Sequence, residues 1–248
     1  MMRMIICWLL LTGLLDAGEL RVVAYNIKHG QGMDRKVDLA RTADVLRKLR
    51  PDFVALQEVD LKATRSGQVD QAAELGRLLD MHHAFGKFMD YQGGEYGLAV
   101  LSRFPILESH VHPLPKGAEP RVVLEVVTKP EGSKRKLSVA SIHLDWTKEE
   151  LRMAQIKTLQ EKLAKRTHPF VLAGDFNATP DSPTMRFVQK GWTVSRKAGP
   201  RLTCPADAPR TEIDYIVTRG IPKAVESRVV EEAIASDHRP VLALIPWP

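Results

Sequence analysis

The stretch Phe170-Val171-Leu172-Ala173-Gly174-Asp175-Phe176-Asn177-Ala178-Thr179-Pro180 decides the fold. A continuous apolar run stops abruptly on a carboxylate, an amide and a proline. That is the pattern of a short strand buried on both faces that delivers polar groups to its C-terminal edge. In open α/β sheets, ligands gather just beyond the carboxyl ends of such strands. Taken alone, Gly174-Asp175-Phe176-Asn177 is equally a good turn former, so the rest of the chain has to separate the two readings.

Working outward, the same pattern recurs. Leu137 to His143 is a strand ending in polar residues, Lys148 to Lys165 is an amphipathic helix, and His168-Pro169 stops it just before the opening strand. In the first half, Leu20 to Ile27 is a strand with Asn26 at its end. Val37 to Leu49 then places Leu39, Ala43, Leu46 and Leu49 at helical spacing, Pro51 stops the helix, and Phe53 to Val59 carries Gln57 and Glu58. Pro51 to Glu58 and Pro169 to Asp175 are thus alike: a proline after a basic helix, a short apolar strand, a terminal carboxylate. Two strand-helix-strand units are expected to face each other with their functional ends converging.

The remaining segments fill in around these units. Gln71 to Leu79 reads as a helix leading into His82 to Phe88, and Asp90 to Gly97 as a Gly-rich loop. Leu98 to Arg103, Ile106 to Val111 and Val122 to Val127 read as strands. The polar turn Thr128 to Lys136 signals a hairpin into Leu137, with Lys134 to Lys136 as its solvated tip. Ser182 to Lys190 is a short helix with Ser182 as N-cap and Pro183 in its first turn. Gly199 to Arg210 is a loop, and Ile213 to Thr218, Val225 to Val230 and Val241 to Ile245 are the last strands. No composition break follows residue 18, so residues 18–248 are expected to form one domain.

With 44% hydrophobic and 27% charged residues over 248 positions, the composition is that of a globular chain, which excludes disordered and collagen-like classes. A net charge of +6 favours anionic ligands without choosing among nucleic acid, phospholipid and small phosphate esters. Arg3, the apolar run Ile5 to Leu15 and the small residues Ala17-Gly18 resemble a secretory signal peptide over residues 1–17. The run is shorter than the ~20 residues that span a bilayer, so no transmembrane segment is expected in the mature chain, which is expected to be secreted or periplasmic and monomeric. Cleavage would remove Cys7 and leave Cys204 without a partner for a disulfide.

Collected, the strand ends present Asn26, Glu58, His143, Asp175, Asn177, Asp214, Asp237 and His238. Carboxylates and amides suit a hard divalent ion, Mg²⁺ with Mn²⁺ as an alternative, rather than zinc. Such an ion beside histidines suits phosphate-ester hydrolysis, the ion stabilising charge on oxygen and a histidine activating water.

Tyr25-Asn26-Ile27, Gln57-Glu58, Gly97 to Pro105, Ser141-Ile142-His143, Gly174 to Asn177, Ile213-Asp214-Tyr215 and Ser236-Asp237-His238 together resemble the successive motifs of the endonuclease/exonuclease/phosphatase superfamily. That family includes deoxyribonuclease I, apurinic endonucleases, neutral sphingomyelinases and inositol polyphosphate 5-phosphatases. The resemblance spans residues 20–245 and implies an α/β fold: a two-sheet sandwich with helices packed outside and a Mg²⁺-dependent cleft at one end. It implies Glu58 as the main metal ligand with Asn26 and Asp237 nearby, and Asp175 and Asn177 positioning the water and a phosphate oxygen. Asp214 would orient His238 as the base, and His143 and Arg121 would contact phosphate oxygens. His82, His83, His110, His112 and His168 are set aside as incidental.

Departures bear on the substrate. The 5-phosphatases carry Trp-Cys-Asp-Arg where this chain has Glu212-Ile213-Asp214-Tyr215, which weakens a phosphoinositide reading. The chain cannot form the disulfide of secreted deoxyribonucleases and has no evident basic stripe. The expectation is therefore a secreted Mg²⁺-dependent phosphodiesterase. A nuclease acting on DNA or RNA is the alternative, and a non-catalytic phosphate- or lipid-binding module the second. Tyr91, Tyr96 and Trp146 are candidates to line a pocket, though aromatics beside a cleft are as often core.

Overall fold

Strands that are apolar on both faces need covering on both sides, and the chain meets this with two sheets packed on each other and helices on their outer faces. The computed structural model describes residues 18–221 and 225–247. The expected signal segment, with Cys7, lies outside the described residues.

In chain order the elements are β1 (Glu19–Asn26), α1 (Leu39–Leu49), β2 (Phe53–Leu61), α2 (Gln71–Leu79), β3 (His82–Tyr91), β4 (Gly94–Ser102), β5 (Ile106–Pro113), β6 (Val122–Thr128), β7 (Leu137–His143), α3 (Glu149–Leu163), β8 (Phe170–Asp175), α4 (Pro183–Val188), β9 (Thr193–Val194), β10 (Arg196–Lys197), β11 (Asp214–Arg219), β12 (Glu226–Val229) and β13 (Val241–Pro246). One sheet has the order β10-β12-β13-β1-β2-β4-β3 and the other β5-β6-β7-β8-β11-β9. The two strand-helix-strand units are the parallel pairs β1/β2 and β7/β8, one in each sheet. Among the described residues no helix is long and apolar enough to cross a membrane.

Alternation along the strands divides the core. Val22, Ala24, Ala55, Leu98 and Val100 face Leu124, Val126, Val139, Val171 and Ala173 between the sheets. Their neighbours Val23, Tyr25, Val54 and Leu56 face outward onto Ala43 and Leu46 of α1 and Leu75 of α2. On the other side Ala140, Ile142 and Leu172 pack on Ile156, Leu159 and Leu163 of α3. Three of the four described helices, α1, α2 and α4, start at a side-chain cap. Asp38 accepts from the Arg41 amide and Asp70 from the Ala73 amide, so α1 begins after Asp38 rather than at Val37. Ser182 caps α4 as its sequence predicts.

Two segments differ from expectation. His82 to Tyr91 is a full strand, and the stretch expected as a Gly-rich loop, Asp90 to Gly97, is mostly the two arms of a hairpin turning at Gln92-Gly93. The glycines serve close approach rather than looseness: a Cβ on Gly97 would stand 2.1 Å from the Gly86 carbonyl oxygen, and one on Gly94 2.3 Å from that of Leu61. The second difference is the two-residue strands β9 and β10, which pass from one sheet's edge to the other's and carry no periodicity to read.

Register places the polar strand ends together. Asn26 lies beside Gln57 in one sheet, while His143 and Asp214 both flank Asp175 in the other. Gly174 is required just before Asp175, because a Cβ there would meet the Ile142 carbonyl oxygen at 2.1 Å and Nε2 of Gln57 at 2.8 Å. Gly174→Ala is expected to lower stability by about 1–3 kcal/mol, the usual cost of overpacking, as read by urea unfolding. An unchanged midpoint would mean the two sheets separate freely at this point.

Candidate active site

Glu58 owes its direction to a bulge. Pairing between β2 and β4 is regular up to Gln57, then slips so that Val59 opposes Gly97 and Glu58 is the extra residue, with φ +58°. A bulge of this kind turns a side chain out of the strand's alternation. The Glu58 Oε1 accepts a hydrogen bond from Asn26 Nδ2 at 3.0 Å, and the same Nδ2 lies 3.4 Å from Asp175 Oδ2. Asn26 therefore joins the carboxylates of two sheets. A second stitch runs beneath it, where Gln57 Nε2 donates to Ser141 Oγ at 2.8 Å and Ser141 Oγ donates to the Leu56 carbonyl at 2.8 Å.

Asp175 is the centre of the arrangement. Its Oδ1 accepts the Asn177 amide at 2.8 Å; its Oδ2 stands 3.4 Å from His143 Nε2 and 3.8 Å from His238 Nε2. Asn177, in the left-handed region that asparagine tolerates, donates Nδ2 to the Leu144 carbonyl at 3.0 Å. His238 Nδ1 faces Asp214 Oδ2 at 3.0 Å, and the loop carrying it is pinned by Ser236 Oγ donating to the Asn26 carbonyl at 2.7 Å. Arg121 is buried, its Nη1 3.5 Å from His143 Nδ1, its Nη2 3.1 Å from Glu119 and its guanidinium over the Phe88 ring.

Burial sets the protonation of this cluster. It raises the Asp175 carboxyl, helped by the charge of Asp214, up to about 7. Burial opposes charge on His238, yet the Asp214 carboxylate outweighs it and holds the imidazole well above its ordinary value. Burial and the neighbouring Arg121 charge push His143 well below its own, leaving it neutral.

All nine residues expected from sequence lie at this end of the sandwich. Asp237 stands apart from the rest: its carboxylate is taken by Lys28 Nζ at 2.8 Å on the half-exposed rim. A group whose ligand atoms lie within 4.8 Å of one another is Asp175, Asp214 and His238, which is not the set Glu58, Asn26 and Asp237 read from sequence. In that group Asp214 Oδ2 and His238 Nδ1 already satisfy each other at 3.0 Å. Asp214 Oδ1 is a buried acceptor with no hydrogen-bond partner, and the oxygen donors of Glu58, Asn26, Asp175 and Asp214 at this end of the sandwich suit a hard divalent ion.

Three further residues escaped the sequence reading. Lys197 is buried and donates Nζ to the Asp214 carbonyl at 2.7 Å and to Glu212 at 2.9 Å, over the Tyr215 ring. His29 is buried with Nδ1 unpartnered, and burial with the Arg65 charge lowers it to about 4. Lys28 completes the group. An isolated lysine or histidine in a loop carries no sequence signal. Of the histidines set aside, His110 pairs with Glu108, His112 with buried Glu125 and His168 with Ser138, all outside the cluster. Tyr96 is buried edge-on to Phe88, whereas Trp146 stands in solvent.

The sequence matches the family model described as "Endonuclease/Exonuclease/phosphatase family" over residues 23–238. Among curated proteins it is 29% identical over 244 residues to the uncharacterized protein YbhP of Escherichia coli (strain K12), covering 91% of this chain and 95% of YbhP. Among solved structures, an endonuclease/exonuclease/phosphatase from Beutenbergia cavernae superposes with TM-score 0.76 at 25% identity, covering 93% of this chain and 72% of that one. The mannosyl-6-phosphatase of Bacteroides thetaiotaomicron VPI-5482 has the same fold, with TM-score 0.74 at 19% identity and coverage of 91% and 99%. With the model matching most of its length, this chain belongs to the endonuclease/exonuclease/phosphatase family, whose members are metal-dependent hydrolases of phosphate esters.

Proposed function

We propose that the protein is a Mg²⁺-dependent phosphodiesterase that attacks its substrate with water. The observation that carries this reading is the meeting of Glu58, Asn26 and Asp175 across the two sheets, with the His238–Asp214 pair on the far side of Asp175. Held by Glu58 with Asn26 and Asp237, a divalent ion would neutralise charge on the phosphoryl and leaving oxygens. Sequence reasoning put the base at His238. The electrostatics favour Asp175 as the acceptor of the water proton, since a base poised near 7 suits neutral pH. His238 then serves as a cation beside the phosphoryl oxygens, its tautomer and charge fixed by Asp214. Water forms the new bond to phosphorus as its proton passes to Asp175, the bond to the leaving oxygen breaks, and that alkoxide takes a proton from solvent. Neutral His143, backed by Arg121, and the Asn177 side chain orient the phosphate.

The substrate in this reading is a phosphodiester of modest size rather than long duplex DNA. Nonspecific duplex binding rests on several phosphate contacts, each adding about −0.9 to the salt slope, and the exposed run Lys134 to Lys136 is a hairpin tip remote from the cleft. The test is kcat/KM on a small diester, a lysophospholipid and plasmid DNA, with Mg²⁺ or Mn²⁺, at two salt concentrations. Fast, strongly salt-sensitive plasmid nicking would make the protein a nuclease instead. With residues 1–17 as a secretory signal the enzyme works outside the cytoplasm; recovery of the intact chain from the cytoplasmic fraction would refute that placement.

Lys197 enters this reading as a positioning residue for Asp214. Lys197→Met is expected to lower kcat about tenfold with KM little changed, because a small displacement of a catalytic group costs rate rather than binding. Lys197→Arg should recover part of the loss. A rise in KM with kcat unchanged would place Lys197 in substrate binding.

A further inference from the structure

Seven large apolar side chains are exposed among the described residues, and their distribution is uneven. Met33 and Val37 lie on the loop between β1 and α1, Trp146 between β7 and α3, Leu202 before β11 and Ile234 before β13. Register puts all four loops at the end of the sandwich that carries Asp175: Ala24 opposes Val241, and both His143 and Asp214 flank Asp175. The other two, Leu107 and Val111, lie on the edge strand β5. At the opposite end of the sheets no described loop carries an exposed large apolar side chain.

The loops that carry Met33, Trp146, Leu202 and Ile234 are tied by hydrogen bonds. Trp146, 62% exposed, sits on a turn tied by buried Asp145, which accepts the amides of Thr147 at 2.8 Å and Ala118 at 2.8 Å. The Met33 amide donates to the Ile234 carbonyl at 2.8 Å, and the Arg239 amide to Thr203 beside Leu202 at 2.7 Å. Each loop is thus braced against the residues that build the cleft.

Cations accompany the apolar tips. Arg35 and Lys36 stand exposed between Met33 and Val37 and Lys148 two residues after Trp146, while Arg201 next to Leu202 is also exposed and pairs with Glu212. Of the acids in these loops, Asp34 pairs with Arg41, Asp237 with Lys28, and Glu232 accepts the amides of Ile234 and Ala235, while Glu231 and Asp207 stand exposed among more numerous cations. Separate apolar tips around a polar cleft lack the contiguous apolar centre of a protein interface. They suit shallow insertion at the boundary of headgroups and acyl chains, where tryptophan is favoured and lysine and arginine meet anionic lipid.

We propose that this face docks on an anionic phospholipid surface, and that the substrate is a lipid phosphodiester whose headgroup enters the cleft while its acyl chains stay in the bilayer. The substrate half rests on the phosphodiesterase reading; the docking half does not. The full chain is mixed with vesicles of phosphatidylglycerol or of phosphatidylcholine, and binding is read by co-sedimentation and by Trp146 emission, assigned by its loss in Trp146→Phe. Hydrolysis of a soluble diester is followed in parallel. Binding to phosphatidylglycerol with a blue-shifted Trp146 is expected, weakened at least about tenfold in Trp146→Ala/Ile234→Ser while soluble-diester hydrolysis stays within about twofold. Equal binding by wild type and double variant, or equal binding to both lipids, would overturn the proposal. Vesicle binding without hydrolysis of any ester would leave docking standing and remove the phosphodiesterase reading. Hydrolysis of the soluble diester without vesicle binding would do the reverse.

Discussion

His238→Ala is expected to reduce turnover of a phosphodiester at least ~10²-fold, the scale on which a preorganised charge at the reacting centre acts. The side chain stands between Asp214, 3.0 Å from Nδ1, and Asp175, 3.8 Å from Nε2, so its loss removes a cation from the reacting centre and strips Asp214 of its partner. Asp214→Asn should fall on the same side, since an amide can neither lift the imidazole nor fix its tautomer. His110→Ala should cost little, because that ring meets only Glu108, on the edge strand β5. Circular dichroism of each variant separates lost chemistry from lost fold, as a stranded buried carboxylate destabilises in its own right. The pH profile carries the same assignment. With the Asp175 carboxyl pushed up to about 7, its proton-accepting form is lost as pH falls through that value, so kcat/KM should decline on the acid side and Asp175→Asn should be inactive across the range. Small, equal losses for His238, Asp214 and His110 variants would place the cleft elsewhere.

Exhaustive chelation is expected to abolish hydrolysis, and Mg²⁺ or Mn²⁺ to restore it. Glu58 and Asp175 project toward one Asn26 amide from opposite sheets, and without an ion their charge repels the phosphate they would act on. Glu58→Gln keeps the shape of the side chain and its place on the bulge but removes the anion. Its effect should therefore appear as a rise in the Mg²⁺ concentration that supports half-maximal rate, at least about tenfold, with the fold intact. Asp237→Asn should show a smaller rise, because Lys28 already occupies that carboxylate at 2.8 Å. Activity that survives chelation, or a Glu58→Gln enzyme with unaltered metal dependence, would remove the ion from the mechanism.

What could be read from sequence was whatever leaves a local trace. Apolar runs that end on Asn26, Glu58, His143 and Asp175 marked buried strands and their polar edges, because burial on both faces forbids polar residues until the strand emerges. Ser182 announced a helix start, since the orphan amides of a first turn need an acceptor close in sequence. The likeness of Pro51 to Glu58 and Pro169 to Asp175 foretold two strand-helix-strand units. The hairpin of β3 and β4 was hidden because its glycines answer backbones that arrive from other strands, at 2.1 Å for Gly97 and 2.3 Å for Gly94, which no window of sequence contains. Lys197 was hidden for the same reason, as its value lies in the Asp214 carbonyl it reaches from the edge of the other sheet. The contact on which the chemistry turns, Asn26 with Asp175 across 149 residues, is a matter of register and sheet packing. Residue types and their order determined which groups stand at strand ends; only the tertiary packing decided which of those groups pair, which share an amide, and that Lys28 holds Asp237 at the rim.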